Sequence, residues 1–385
     1  MDARVHVNDI WNVRINMEEE KKLYPMKIAP KEVSLPWGTY THLVADLGYE
    51  ESKIASGYLA GDTLDDVMET YFERVVGDEN YNFYGRQFPL SVACLDVRKG
   101  LSPVTVCPAD ELAAERYDAL GKKKLWYIAD AYDDAAVYLG FKEQLDAARL
   151  YEAAGDGTLP ALLHQEEARK GQFFVIEPGT VHAAKNVKII EVSEASGLDF
   201  AIFGGGAEDF SSTDSLVEAL DFINLKPLEH EHEEEHHHAH SDQDKVTRTL
   251  EKCDEFAVTE IHLSDALHIY TEQFGSFIVY SCLSGEVSFQ FPKDGPTGMD
   301  TYLLAAGETL LIPAELSDFY IVPIDRSSVL IESTVPPREL EDSYVPDEHE
   351  HHHHHDHDCD CDDDDCDCDH DHCDHNHCNC KHLDN

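Results

Sequence analysis

Two periodicities alternate along this chain. TLDDVMETYF, residues 63 to 72, puts Leu64, Val67, Met68, Tyr71 and Phe72 on one face at three- and four-residue spacing. With Asp62 or Thr63 ahead as a cap, the stretch predicts a short amphipathic helix. GFKEQLDAARLYEAAGDG (140–157) and LPALLHQEEARKG (159–171) are expected as two further helices that end at glycine. QFFVIEPGTVHAAKNVKIIEV is different: short apolar runs meet at Pro178-Gly179, which predicts two strands joined by a turn. From about Phe256 to Pro336 the strand pattern dominates, in FAVTEIHL, SFIVYSCLSGEVSFQF, YLLAAGETLLIPAELSDFYIVPI and SSVLIEST. Turn residues interrupt it every six to ten positions, as in a small all-β sandwich or barrel.

The two strand-rich regions echo each other. KGQFFVIEPGTVH and AGETLLIPAELSD both place a glycine before an apolar strand that stops at a proline turn. The fold class read from these elements is mainly β: two cupin (jelly-roll β-sandwich) domains with helical insertions. The boundaries expected are a helical lead-in at 1–24, a first cupin with its helical insertion at 25–206, and a connector at 207–251. A second cupin follows at 252–336 and a tail at 337–385. The connector holds an amphipathic helix around Ser215 to Leu225, then the acidic histidine run HEHEEEHHHAH, which cannot build a core.

Charge narrows the partners. The 385 residues carry a formal charge of −49, and residues 1–346 still hold −35 of it. Such a surface repels nucleic acid and anionic membranes, so neither is expected as a partner. The opening MDARVHVNDIWNV lacks the apolar core of a secretory signal, and no apolar run is long enough to span a bilayer. A cytoplasmic, reducing setting is therefore expected, in which cysteines stay free for metal.

Seven of the eleven cysteines lie in the tail. Three Cys-x-Cys pairs occur there: Cys359 with Cys361, Cys366 with Cys368, and Cys378 with Cys380. Cys373 lies among them, and His370, His372, His375 and His377 are interspersed. Thiolates and imidazoles at such short spacing suit transition-metal ions, zinc or another divalent ion according to supply. No zinc-finger spacing or apolar residues accompany them, so a flexible chelating tail is expected rather than a folded finger.

FPLSVACLDVRKGLSPVTVCPADELA (88–113), GKKKLWYIAD (121–130), KGQFFVIEPGTVHA (170–183) and LIPAELSDFYI (311–321), with the early Trp37-Gly38, resemble class I mannose-6-phosphate isomerases in order and spacing. The resemblance covers roughly residues 25–335. It implies two cupins, a sugar-phosphate substrate, and one zinc in the first cupin that serves interconversion of mannose 6-phosphate and fructose 6-phosphate. The family's zinc ligands are a Gln and a His two residues apart, a Glu ahead of a Trp-Tyr-Ile strand, and a His after a Pro-Ser-Gly-Thr turn. In this chain those positions hold Thr105, Cys107, Lys124 and His182, and the family's catalytic arginine position falls near Ala201. Cys107 and His182 are thus the candidate metal ligands of the body, with Asp110, Glu111 or Glu194 as neighbours that could complete a relocated set. Lys122, Lys123 and Lys124, unusual in so acidic a chain, are the candidate substrate-binding residues through a phosphate. Three functions compete on these grounds: an isomerase with an altered metal site, a catalytically inactive sugar-phosphate-binding cupin, and a metal-storage protein.

Overall fold

A computed structural model describes residues 21–204, 212–228, 247–293, 298–325 and 327–337. The lead-in helix expected over 1–24 lies almost wholly outside the described residues, as does the histidine run. The tail's candidate metal ligands also lie outside them: Cys359, Cys361, Cys366, Cys368, Cys373, Cys378 and Cys380, with His370, His372, His375 and His377. Within the compact unit Met1–Leu340 the described chain forms a nine-stranded, a seven-stranded and a four-stranded sheet.

The nine-stranded sheet is built around the strand His182–Glu194, which lies between Leu90–Leu101 and Lys124–Phe141. Ile190 faces Cys94 on one side and Tyr127 on the other. Flanked on both edges, these strands are apolar on both faces, and alternation decides where each side chain goes. Leu125, Tyr127, Ile190 and Val192 point one way and join Val258, Val279, Leu311 and Ile331 of the seven-stranded sheet in one core. Trp126, Ile128 and Ile189 point the other way, into the interior of the first cupin with Trp37, Leu95 and Val97. The second cupin closes its own interior with Tyr280, Phe289 and Phe319, none of which reaches solvent.

The echo between the two halves is visible in hydrogen bonds. The Gly171 N–H donates to the Ile128 carbonyl at 2.9 Å, and the Gly307 N–H to the Cys282 carbonyl at 2.8 Å, each tying the loop before its strand to the neighbouring strand. Sheet pairing also crosses the boundaries drawn from sequence. The strand Met26–Ala29 pairs with Thr309–Ile312 of the second cupin, Met26 opposite Leu311, whereas the next strands, Lys31–Leu35 and Gly38–Val44, belong to the first.

Helices fall partly where the periodicity placed them. Leu64–Tyr71 is capped by Thr63 in a reciprocal capping box with Asp66. The helix expected over 140–157 is shorter. The strand runs on to Phe141, which is buried and paired with Leu163, and the helix is Ala147–Asp156, capped by Asp146 and closed by Gly157. The second expected helix, 159–171, is corrected more strongly: it stops at Leu162, and Leu163–Glu167 is a strand. Gln165, Glu166 and Glu167 favour helix in isolation, but the open edge of the long strand takes them, pairing Ala136 with Glu167 and Tyr138 with Gln165.

Candidate functional site

The first cupin holds a cavity of about 300 Å³ on its interior side. One wall is apolar and aromatic, with Trp37, Tyr40, Tyr49, Leu95 and Trp126; the other carries Thr105, Lys122, Lys124, Glu191 and Asp199, with His42 beside them. The polar wall assembles from four stretches of chain. Thr105 lies on a short strand that pairs with His182 on one edge and with Ala201 on the other. Glu191 and Trp126 face each other across the central pair of strands, and the Trp126 indole N–H donates to Glu191 at 2.7 Å.

The lysine run is positioned by close packing. The Gly121 N–H donates to the Asp110 carboxylate at 2.8 Å and the Lys122 N–H to the Pro108 carbonyl at 3.1 Å. A Cβ at Gly121 would come within 2.5 Å of the Asp110 nitrogen. Side chains then alternate along the incipient strand. Lys122 and Lys124 point into the cavity wall and are almost fully buried. Lys123 does not line the cavity: it points the opposite way, to Glu177 at 3.0 Å and Glu255 at 3.8 Å. Of the three lysines expected to bind substrate, the geometry therefore offers two.

Asp199 joins the two. Its Oδ2 accepts from Lys122 Nζ and its Oδ1 from Lys124 Nζ, each at 2.5 Å. Lys122 also donates to the Ser196 carbonyl at 2.7 Å, and Lys124 lies 3.5 Å from Glu191. Burial would raise the Asp199 carboxyl, but the two ammonium groups outweigh it and hold it well below the usual carboxylate range. Burial likewise works against charge on both lysines, and Asp199 overcomes it, so both stay protonated.

His182 and Cys107 do come together, but behind this wall rather than on it. His182 Nδ1 lies 2.9 Å from the Thr180 carbonyl, which can only accept, so Nδ1 carries the proton and Nε2 accepts from the Thr105 hydroxyl at 2.9 Å. Burial, then the Lys124 charge, push His182 down to about 4, and it is neutral at pH 7. The Cys107 thiol donates to Asp199 Oδ1 at 3.3 Å, and burial pushes it up, away from thiolate. Among the described residues, Cys107, His182 and Asp199 place one donor atom each within 4.8 Å of one another, the makings of a metal site. As arranged they do not fit zinc. The thiol is protonated, the imidazole lone pair faces Thr105, and both carboxylate oxygens carry an ammonium. Asp110 and Glu194, weighed as additional ligands, instead accept backbone N–H groups from Gly121 and Lys123.

Sequence reasoning missed Asp199, Glu191 and His42. The signal for the first two was indirect: lysines on an apolar strand need carboxylate partners, and the acids of EVSEASGLDF lie on the strand and loop that follow. His42 had no local signal. It lines the cavity half-buried, and its Nδ1 has no hydrogen-bond partner among the described residues.

Two jelly rolls packed back to back, with a concave polar cavity inside the first, define a double-cupin fold. No family model matches the chain. It is 28% identical to mannose-6-phosphate isomerase ManA of Bacillus subtilis over 278 residues, which is 70% of this chain and 81% of ManA. It is 25% identical to the mannose-6-phosphate isomerase of Streptococcus mutans over 271 residues, 68% of this chain and 78% of that protein. Its fold superposes on the crystal structure of mannose 6-phosphate isomerase from Bacillus subtilis with a TM-score of 0.64 at 19% identity, covering 81% of this chain and 99% of the other. The chain is thus similar to mannose-6-phosphate isomerases in sequence over about 70% of its length and shares their fold.

Proposed function

We propose that the first-cupin cavity binds a hexose 6-phosphate of the kind mannose-6-phosphate isomerases act on, and that it does so without zinc-centred turnover. The observation that carries this reading is the Lys122–Asp199–Lys124 cluster on the cavity wall. An ammonium offers three donors, and Lys124 spends one on Asp199, which leaves capacity for phosphate or sugar oxygens. Lys122 and Lys124 balance Asp199 and Glu191, so in a chain this acidic the cavity wall is formally neutral and does not repel an anion. Trp37, Tyr40 and Tyr49 supply apolar surface for the sugar's C–H faces, and the unpartnered His42 nitrogen supplies a further polar contact.

Isomerisation of such a sugar moves a proton between adjacent carbons through an enediolate, whose negative charge needs electrostatic support. A bound metal would supply that support as a Lewis acid. Here the zinc positions of the resemblance hold Thr105, protonated Cys107, Lys124 and a histidine turned toward Thr105, and its arginine position is Ala201, a strand residue paired with Thr105. Titration calorimetry of the full-length protein with mannose 6-phosphate, beside a coupled assay with and without added zinc, tests the reading. Saturable binding with no zinc-stimulated formation of fructose 6-phosphate is expected. Zinc-stimulated turnover that disappears in His182→Ala would overturn it, as would an absence of binding by the folded protein.

A second role rests on the tail's composition. The cysteines Cys359, Cys361, Cys366, Cys368, Cys373, Cys378 and Cys380, with the histidines between them, are proposed to hold zinc or other transition-metal ions in a cytoplasmic setting. Deleting residues 341–385 should remove most of the zinc that the protein retains on gel filtration. Unchanged zinc content would refute the role.

A further inference from the structure

We infer that the Lys124 ammonium is a built-in cation that keeps the Cys107–His182–Asp199 cluster metal-free, so that removing this one charge converts the cluster into a transition-metal site. The inference does not depend on the sugar-phosphate reading, since it concerns what the protein's own donors hold in the absence of any ligand.

Three observations meet at one oxygen. Asp199 Oδ1 accepts from Lys124 Nζ at 2.5 Å and from the Cys107 thiol at 3.3 Å, and a nitrogen of His182 lies within 4.8 Å of the Cys107 sulfur and of an Asp199 carboxylate oxygen. A divalent ion at the centre of that group would share the carboxylate with an ammonium, and like charges at such range repel strongly in a water-poor setting. Lys124 is 3% exposed and held by both Asp199 and Glu191, so its ammonium is fixed beside the cluster. The ammonium thus already supplies the positive charge that the surrounding acids require.

Of the other obstacles at the donors, the Thr105 contact and the thiol proton can yield, while Lys122 stays on the far carboxylate oxygen, Oδ2, and leaves Oδ1 to a metal. The set is one sulfur, one imidazole nitrogen and one carboxylate oxygen, which suits zinc or cobalt(II), and three or four such ligands are the usual number. The Thr105 hydroxyl can turn away from His182 and leave Nε2 free, while Nδ1–H remains fixed on the Thr180 carbonyl, the arrangement a ligating histidine ordinarily has. Binding would draw the proton from Cys107, because a coordinated thiol is deprotonated. Replacing Lys124 by glutamate removes its repulsion and offers a fourth donor from the same strand; glutamine removes the repulsion alone.

The test is zinc stoichiometry of the full-length protein, with every variant compared against its parent so that the tail's contribution cancels. Zinc per chain is measured by elemental analysis after equilibration and desalting, and cobalt(II) serves as a spectroscopic probe for a new thiolate ligand. Lys124→Glu is expected to hold one equivalent more than the parent and to gain a cobalt–thiolate charge-transfer band. Adding Cys107→Ser to Lys124→Glu should remove both. In the unaltered protein, His182→Gln should leave the zinc content unchanged. A loss of one equivalent in that single variant would show that the body holds zinc despite Lys124, and overturn the inference without reliance on the Lys124 variants folding. A folded Lys124→Glu protein with no added equivalent would overturn it as well, and Lys124→Gln, which adds no charge, checks the same point if the glutamate variant proves unstable.

Discussion

Asp199 is the residue on which the site's electrostatics turn. It is the carboxylate that both buried ammonium groups share, and a third of its side chain remains open to the cavity. Asp199→Asn would leave two buried cations with Glu191 as their remaining acid; because the carboxylate itself is a third exposed, the cost should fall below the roughly 3 kcal/mol of a fully buried pair, at about 2 kcal/mol. Chemical denaturation should show a loss of that size, and hexose-phosphate binding should fall with it. His182 makes a pH prediction with a definite sign. Its folded value of about 4 lies below the ordinary 6.5, so between those values the unfolded chain holds a proton that the native protein does not. Stability from this residue is complete above pH 6.5 and declines as pH falls toward 4, by roughly 3 kcal/mol across the window. Urea denaturation at pH 7 and pH 4.5 should show a smaller difference in His182→Gln than in the parent; an equal difference would assign the acid sensitivity elsewhere. Cys107 and His182 were legible as neighbours because each sits in a recognisable stretch, PVTVCPAD and EPGTVHA. What was not legible is that they face inward behind Thr105 while the lysine that shares their oxygen arrives from a third strand, since such proximity is decided by long-range pairing and not by spacing along the chain.

At the scale of elements, the turn Pro178–Gly179 does the positioning. The Gly179 N–H donates to the Cys107 carbonyl at 2.8 Å, and the Asn224 N–H donates to the Gly179 carbonyl at 2.8 Å. Gly179 has φ of +84°, and a Cβ there would lie 2.7 Å from the Phe222 carbonyl oxygen. Gly179→Ala therefore combines left-handed strain with a backbone clash and should cost about 2 kcal/mol or more. Because the turn fixes where the His182 strand starts, the variant should also weaken ligand binding more than its stability loss explains; calorimetry on the folded fraction separates the two. Strand–turn–strand units of this kind were readable, since apolar runs bounded by Gly and Pro have few alternatives. The segment 159–171 was not. Its helix-forming residues gave the right local preference, and the unpaired edge at Ala136–Tyr138 overruled it.

For the whole molecule, the division of labour between body and tail yields a prediction about metal removal. The core shared by the two large sheets is packed from apolar side chains, so chelation should leave the thermal unfolding midpoint of the body unchanged. A large drop on chelation would mean that metal is structural. The overall architecture was legible because two regions repeat the same order of strands and turns, whereas the exchange of the first strand was not, since Met26–Ala29 looks like any short apolar run until its partner is known.

That exchange makes the two lobes inseparable in a practical sense. Fragments 1–228 and 247–385, produced together as separate polypeptides, should copurify as a non-covalent pair, because the first fragment carries a strand of the second one's sheet. Produced alone, the second fragment would present the bare edge of Thr309–Ile312, an invitation to self-association. The chain is thus stitched rather than strung: cutting the thread between its halves leaves the seam intact, and neither half can be transplanted to another protein without taking part of its neighbour along.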